Sequence, residues 1–105
     1  MNRRGLLVIG TVAAFGMAPA QADDIVAGES LYAESCVACH GASGRGMASF
    51  PSITGRDADY IAKRLKQYRA GEQVGPNSGL MAPAATDLSD DDIANLAAYI
   101  STTFE

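Results

Sequence analysis

Hydrophobic residues recur at helical spacing in three segments of the chain, and no apolar alternation is long enough to predict a β-sheet. The first predicted helix runs from about Val26 to Cys39. The second runs from about Ala58 to Arg69, and the third follows Ser89. Three main helices with no strand between them predict an all-α fold.

Polar residues mark where these helices begin and end. Asp23 or Asp24 is placed to cap the first helix and Asp57 the second, because a carboxylate accepts hydrogen bonds from unpaired N–H groups of the first turn. Ser89 precedes three aspartates, which favour the positive end of a helix dipole. Gly71 is the predicted stop of the second helix.

Two long segments, 41–56 and 71–88, separate the helices. Glycine, proline and serine are frequent in them, so neither segment is predicted to form a regular element. Loops of this length are uncommon in a small domain unless they wrap a ligand or carry function. We therefore expect three helices and two functional loops.

The N-terminal segment is predicted to be a secretory signal peptide. Two arginines form a positive leader, an apolar run follows, and Ala20 and Ala22 supply small residues at the two positions that a signal peptidase reads. The apolar run is shorter than a membrane span requires. Residues 1–22 are thus predicted to be cleaved, leaving residues 23–105 as one periplasmic domain without membrane insertion.

Length and charge narrow the functional classes. The chain has 105 residues, with 8 Lys+Arg against 12 Asp+Glu, and two of the arginines belong to the predicted leader. So acidic a domain is a poor partner for nucleic acid, whose phosphates require an excess of Lys and Arg. A domain this small also buries too little apolar surface to fold robustly unaided, so we expect a bound group in its core.

The cysteines and the histidine of the chain all fall in one motif, Cys36-x-x-Cys39-His40. A thioredoxin-like redox pair would require a βαβ context that is missing, and a zinc site would require a fourth ligand. A plain disulfide would leave His40 without a role. Covalent attachment of a c-type haem uses all three residues, because thiols at positions i and i+3 share one helix face and the histidine follows directly.

With this motif the chain resembles the small class I c-type cytochromes, in particular single-domain bacterial cytochromes similar to c553 and one half of dihaem cytochrome c4. The resemblance covers essentially all of residues 23–105. Outside the motif it rests on Gly28, Tyr32, Pro51-Ser52-Ile53-Thr54-Gly55-Arg56, Tyr60, Met81-Ala82-Pro83, Leu88-Ser89-Asp90 and Leu96-Ala97-Ala98-Tyr99. The chain departs from the c4 relatives in having one haem site instead of two. It departs from many relatives in having Arg56 where they have glutamine.

The resemblance implies a class I cytochrome c fold around one covalently bound haem c, with a histidine and a methionine as iron ligands. His40 is the histidine. Met47 follows it by only seven residues, on the histidine side of the ring. Met81 lies far enough along the chain to reach the opposite face, so Met81 is the predicted sixth ligand.

The resemblance also implies roles around the haem. The backbone carbonyl of Pro51 is expected to accept a hydrogen bond from the histidine ligand, which would fix the orientation of its ring. Arg56 and Tyr60 are expected to contact a haem propionate. Gly28 and Tyr32 are expected to meet the last helix, at residues 96–99.

The predicted function is that of a periplasmic one-electron carrier, not an enzyme, that docks with donor and acceptor redox proteins as a monomer or as a small subunit. Two alternatives stay open. One is a haem subunit of a periplasmic dehydrogenase complex, for example one oxidising a sulfur compound. The other is a gas-binding or peroxidatic haem protein with an open sixth position. The basic residues of the second helix are interpreted as a solvated face: Lys63, Arg64, Lys66 and Arg69.

Overall fold

The computed structural model describes residues 24–48 and 50–105, together with residue 10. The predicted signal peptide therefore lies, but for residue 10, outside the described residues. The described part of the chain contains five helices, which are α1 (Ile25–Ser35), α2 (Val37–His40), α3 (Ala58–Arg69), α4 (Ser78–Ala85) and α5 (Asp90–Thr103). Apart from one isolated bridge between Met47 and Phe50, these residues form no β-structure, so the all-α prediction is confirmed. None of the helices in this part is long and apolar enough to cross a membrane.

The predicted helix caps are present. A carboxylate oxygen of Asp24 accepts hydrogen bonds from two backbone N–H groups of the first turn of α1, and Asp57 accepts one from the N–H of Tyr60 at 2.7 Å. The hydroxyl of Ser89 accepts from the N–H of Asp92 at 3.0 Å, and the Asp92 carboxylate accepts from the N–H of Ser89. This reciprocal pair closes the N-terminus of α5.

The first and last helices cross at Gly28. A Cβ atom at this position would lie 2.8 Å from the Cβ of Tyr99 and nearer still to the backbone carbonyl of Asn95, so the crossing requires glycine. Next to it, the side-chain oxygen of Asn95 accepts a hydrogen bond from the N–H of Asp24 at 2.8 Å. The predicted contact between the two helices is thus confirmed.

The core lies where α5 packs between α1 and α3. At one end the rings of Tyr32, Tyr99 and Phe104 meet, with centroids 5.1–5.7 Å apart. Towards α3 the buried apolar residues are Ile61, Leu65, Ile93, Leu96, Ala97 and Ile100. This packing fixes α1 and α3 on either side of α5.

The prediction of one continuous helix from Val26 to Cys39 was wrong, because the helix is interrupted at Cys36, where φ is −118°. The hydroxyl of Tyr32 donates a hydrogen bond to the carbonyl of Gly41 at 2.5 Å. Nine residues of straight helix rise about 13 Å, which is beyond the reach of a tyrosine side chain. The interruption lets the chain return towards α1 and places both cysteines and the histidine on a separate turn.

The prediction that segment 71–88 has no regular element was also wrong, since it contains α4. The hydroxyl of Ser78 accepts hydrogen bonds from the N–H groups of Val74 and Gly75, both at 2.9 Å, which ties the preceding loop to the start of the helix. α4 packs against α3 and buries Ala85 completely. Packing therefore maintains this helix in spite of Pro83 within it.

Candidate cofactor site

The motif residues lie on the turn between α1 and the loop that follows. Cys36 and Cys39 are half-buried free thiols, and His40 is buried. Burial, with a smaller contribution from Cys39, raises the pKa of the Cys36 thiol to about 11.

His40 is oriented by the loop that follows it. Its Nδ1 donates a hydrogen bond to the backbone carbonyl of Pro51 at 2.9 Å, because a carbonyl oxygen can only accept. The N–H of Gly46 in turn donates to the carbonyl of His40 at 2.8 Å. Gly46 has φ +75°, and a Cβ there would meet the backbone of Phe50 and Pro51. The arrangement leaves the other ring nitrogen, Nε2, with a free lone pair for a metal.

Two cavities lie in front of the His40 ring, with volumes of about 260 Å³ and 150 Å³. Cys39 lines the first cavity, and Cys36 lines the second. Four residues line both cavities, namely His40, Pro51, Tyr68 and Met81. The two cavities are therefore halves of one cleft, and the imidazole and the thioether both face it.

The two methionines of the described residues occupy different environments. Met81 lies on α4, is half-buried and lines both cavities. Met47 is 50% exposed, pairs through its backbone with Phe50, and lines neither cavity. Only Met81 of these two is placed to reach a group inside the cleft.

Three polar side chains line the otherwise apolar second cavity, namely those of Arg56, Tyr60 and Arg64. The guanidinium carbon of Arg56 is 4.7 Å from the ring centroid of Tyr60, and that of Arg64 is 5.3 Å from it. Arg64 also donates a hydrogen bond to the Tyr60 hydroxyl at 3.4 Å. This hydrogen bond and the two neighbouring positive charges lower the pKa of Tyr60.

The interpretation of the basic residues of α3 as one solvated face was partly wrong. Lys63 and Lys66 are exposed, as expected. Arg64 instead lines the second cavity, and Arg69 donates a hydrogen bond to a carboxylate oxygen of Asp90 at 2.7 Å. The four basic residues therefore do not act as one patch.

Sequence reasoning missed Arg64 and Tyr68 as residues of the cleft. Tyr60, Arg64 and Tyr68 follow one another at four-residue intervals, so they share one face of α3, and all three line the second cavity. That spacing was visible in the sequence. The basic run in which Arg64 stands favours a solvated face, and nothing in the sequence shows that a cavity forms on this side of α3.

The residues around this cleft fit a covalently bound haem. They provide two thiols next to a buried imidazole with a free Nε2, a thioether that lines the same cleft, and cationic groups at one end. The family model for cytochrome c matches residues 25–104. The chain belongs to the cytochrome c family. It is a class I monohaem c-type cytochrome, and its fold and electron-transfer role are those of that family.

Individual relatives agree with this assignment. The chain is 48% identical over 82 residues to cytochrome c-554(548) of Halomonas halodenitrificans, an alignment that covers 77% of this chain and 98% of that protein. It is 39% identical over 67 residues to the thiosulfate dehydrogenase electron acceptor of Stutzerimonas stutzeri, covering 63% of this chain and 31% of that one.

A solved structure shows the same fold. The crystal structure of reduced recombinant cytochrome c4 from Pseudomonas stutzeri superposes with a TM-score of 0.67 at 30% identity, over 77% of this chain. This chain spans about half of that cytochrome c4, namely 48% of its length. As a cytochrome c, the protein carries one haem c bound through two thioethers, for which Cys36 and Cys39 are the only cysteines in the sequence.

Proposed function

We propose that this cytochrome c is a periplasmic one-electron carrier in which His40 and Met81 are the iron ligands. The observation that carries the proposal is that an imidazole with a free Nε2 and a thioether line both halves of the same cleft. The bound haem supplies a one-electron couple between ferric and ferrous iron. The role of the chain is to hold both ligands in place while that couple turns over.

Each ligand is supported by its neighbours in the fold. The carbonyl of Pro51 keeps the ring of His40 in one orientation. Met81 is carried by α4, which packs on α3, so its thioether is presented by a helix and not by a mobile loop. A thioether ligand raises the reduction potential, and two filled axial positions disfavour the binding of oxygen or peroxide.

Arg56 and Tyr60 are proposed to contact a haem propionate. Both line the second cavity, and the guanidinium lies against the tyrosine ring. A guanidinium offers several donors in a planar fork that matches a carboxylate. With these contacts the propionates would lie at that end of the cleft.

The periplasmic location rests on the predicted signal peptide, residues 1–22. Covalent haem attachment and export are tested together by purifying the protein from a periplasmic extract. We expect an N-terminus at Asp23, a mass increased by one haem, and one reversible electron per protein. Recovery of the intact N-terminus in the cytoplasmic fraction would contradict the location.

The axial ligation is tested on the same preparation. With His40 and Met81 on the iron, the ferric protein should show the weak long-wavelength absorption band that the family displays with methionine ligation, and the ferrous protein should not bind carbon monoxide. A wild-type protein that lacks the band and binds carbon monoxide would instead be a haem protein with an open sixth position.

The similarity to a thiosulfate dehydrogenase electron acceptor favours a second candidate function, the haem subunit of a sulfur-compound dehydrogenase complex. Gel filtration of a fresh periplasmic extract separates the two. A carrier elutes as a small single protein, whereas a subunit elutes in a larger complex together with an enzyme partner.

A further inference from the structure

The backbone carbonyl of Gly41, directly after His40, accepts two hydrogen bonds. The hydroxyl of Tyr32 donates to it at 2.5 Å, and the N–H of Gly44 donates to it at 3.2 Å. One donor belongs to α1 and the other to the loop that follows the motif. The peptide group next to the histidine is therefore held from two directions.

The Tyr32 side chain is itself fixed by packing. It is 3% exposed, and its ring centroid lies 5.6 Å from that of Tyr99 and 5.1 Å from that of Phe104. Tyr99 lies on α5, and Phe104 is the C-cap of that helix. A ring enclosed in this way cannot swing its hydroxyl to another acceptor. The hydroxyl thus holds Gly41 at a position that the packing of α1 on α5 determines.

The loop beyond Gly44 leads to the acceptor of the histidine ring. The carbonyl of Gly44 accepts a hydrogen bond from the N–H of Ile53 at 2.8 Å, and the ring of Phe104 covers this glycine so closely that a Cβ would lie 2.7 Å from it. Ile53 belongs to the same segment as Pro51, whose carbonyl binds Nδ1 of His40 at 2.9 Å. The backbone on both sides of the histidine loop is therefore connected through Gly44.

We propose that Tyr32 is a positioning residue for the iron ligand His40. By holding the Gly41 carbonyl, its hydroxyl keeps the histidine ring in the hydrogen bond to Pro51. The proposal rests on the assignment of His40 as an iron ligand, and it goes beyond the helix contact expected of Tyr32. A ligand whose orientation is locked by packing and by hydrogen bonds keeps one geometry while the iron changes oxidation state.

The test removes two hydroxyls from the same aromatic cluster, one at a time, in the purified holoprotein. Tyr32→Phe removes the donor to Gly41 and keeps the ring, whereas Tyr99→Phe removes a hydroxyl that takes no part in this contact. The measurement is the rate at which the Nδ1 proton of His40 exchanges with deuterium, followed by NMR. Loss of the hydrogen bond in Tyr32→Phe should raise that rate by roughly tenfold. Tyr99→Phe should exchange at close to the wild-type rate.

A purely structural role of Tyr32 is separated by a reference within the same spectra. The backbone N–H groups of Leu96 and Ala97, two buried residues of α5, exchange through opening of the whole fold. If Tyr32→Phe accelerates them as much as the histidine proton, the hydroxyl only stabilises the fold and the proposal is overturned. An unchanged histidine rate, or equal increases in both variants, overturns it as well. The long-wavelength band of the wild-type protein reports the axial ligation separately, so failure of this proposal is distinguishable from failure of the proposed function.

Discussion

Replacing Gly28 by alanine should destabilise the protein, although alanine is the better helix former. Taken alone, the exchange of glycine for alanine inside a helix stabilises it by about 1 kcal/mol. In this fold, however, the new methyl group would lie 2.8 Å from the Cβ of Tyr99 and closer to the backbone of Asn95. Because the obstructing atoms belong to the backbone and to a Cβ, they cannot rotate away, and α1 has to move from α5.

The size of the effect follows from these opposing contributions. Overpacking of a tight contact costs about 1–3 kcal/mol, and backbone obstruction favours the upper part of that range or beyond. Movement of α1 would also lengthen the hydrogen bond from Asp24 to Asn95 and disturb the contact of Tyr32 with Tyr99. After subtraction of the helix-propensity gain we expect a net loss of about 2 kcal/mol, or a fall in Tm of roughly 8–16 °C for a domain of this size.

The assay is guanidinium unfolding of the holoprotein, followed by far-ultraviolet circular dichroism. Gly79→Ala is the matched control, because Gly79 also lies in a helix but has no atom within 4 Å of an added Cβ. The control should be neutral or stabilised by up to about 1 kcal/mol. Wild-type stability in Gly28→Ala would refute the tight helix crossing, and equal losses in both variants would show that the contact with α5 is not the cause.

Three further substitutions test the local structure around the core by the same unfolding assay. Ser89→Ala removes the hydroxyl of the capping pair and should cost about 1 kcal/mol; an unchanged midpoint would mean that the cap contributes nothing. Gly44 and Gly55 have nearly the same backbone angle, with φ +70° and +71°, so alanine at either should cost roughly 1–2 kcal/mol. At Gly44 a Cβ would also lie 2.7 Å from the ring of Phe104, whereas at Gly55 it meets nothing, so Gly44→Ala should lose more. Equal losses would refute the contact with the ring.

Features that depend on neighbouring residues in the sequence were predictable. The caps at Asp24, Asp57 and Ser89 require only a side chain and the N–H groups two or three residues ahead, and all three are present. The motif from Cys36 to His40 is equally local, because its chemistry depends on spacing within a single turn. These signals were sufficient to predict where the three main helices begin and that the chain binds a haem.

Features that depend on distant contacts were not predictable in the same way. α4 contains a proline and a glycine, so its local preference is poor, and it is maintained by packing on α3 and by the two N–H groups bound to Ser78. Phe104 follows Ile100 by four residues, so its burial fits the stripe of α5, but the sequence does not show which rings it meets. Its ring nevertheless joins the aromatic cluster, and its carbonyl accepts a hydrogen bond from the N–H of Gly55 at 2.8 Å.

The orientation of the Arg64 side chain towards the cleft was likewise not predictable from the sequence. In the sequence it stands among basic residues, which are usually solvated. Its orientation towards the cleft follows from the hydrogen bonds to Tyr60 and Gln67, which lie four residues before it and three after it. The spacing was readable, but the existence of a cavity on that face depends on the loop that carries Pro51 and on α4.

The long-wavelength absorption band of the ferric holoprotein is the most direct test of the proposed axial ligation, measured in Met81→Ala and Met47→Ala side by side. Met81 lines both halves of the cleft, whereas Met47 is half exposed and lines neither. Met81→Ala should lose the band and gain carbon monoxide binding in the ferrous state, while Met47→Ala should keep the wild-type spectrum. Loss of the band in Met47→Ala with retention in Met81→Ala would contradict Met81 as the iron ligand.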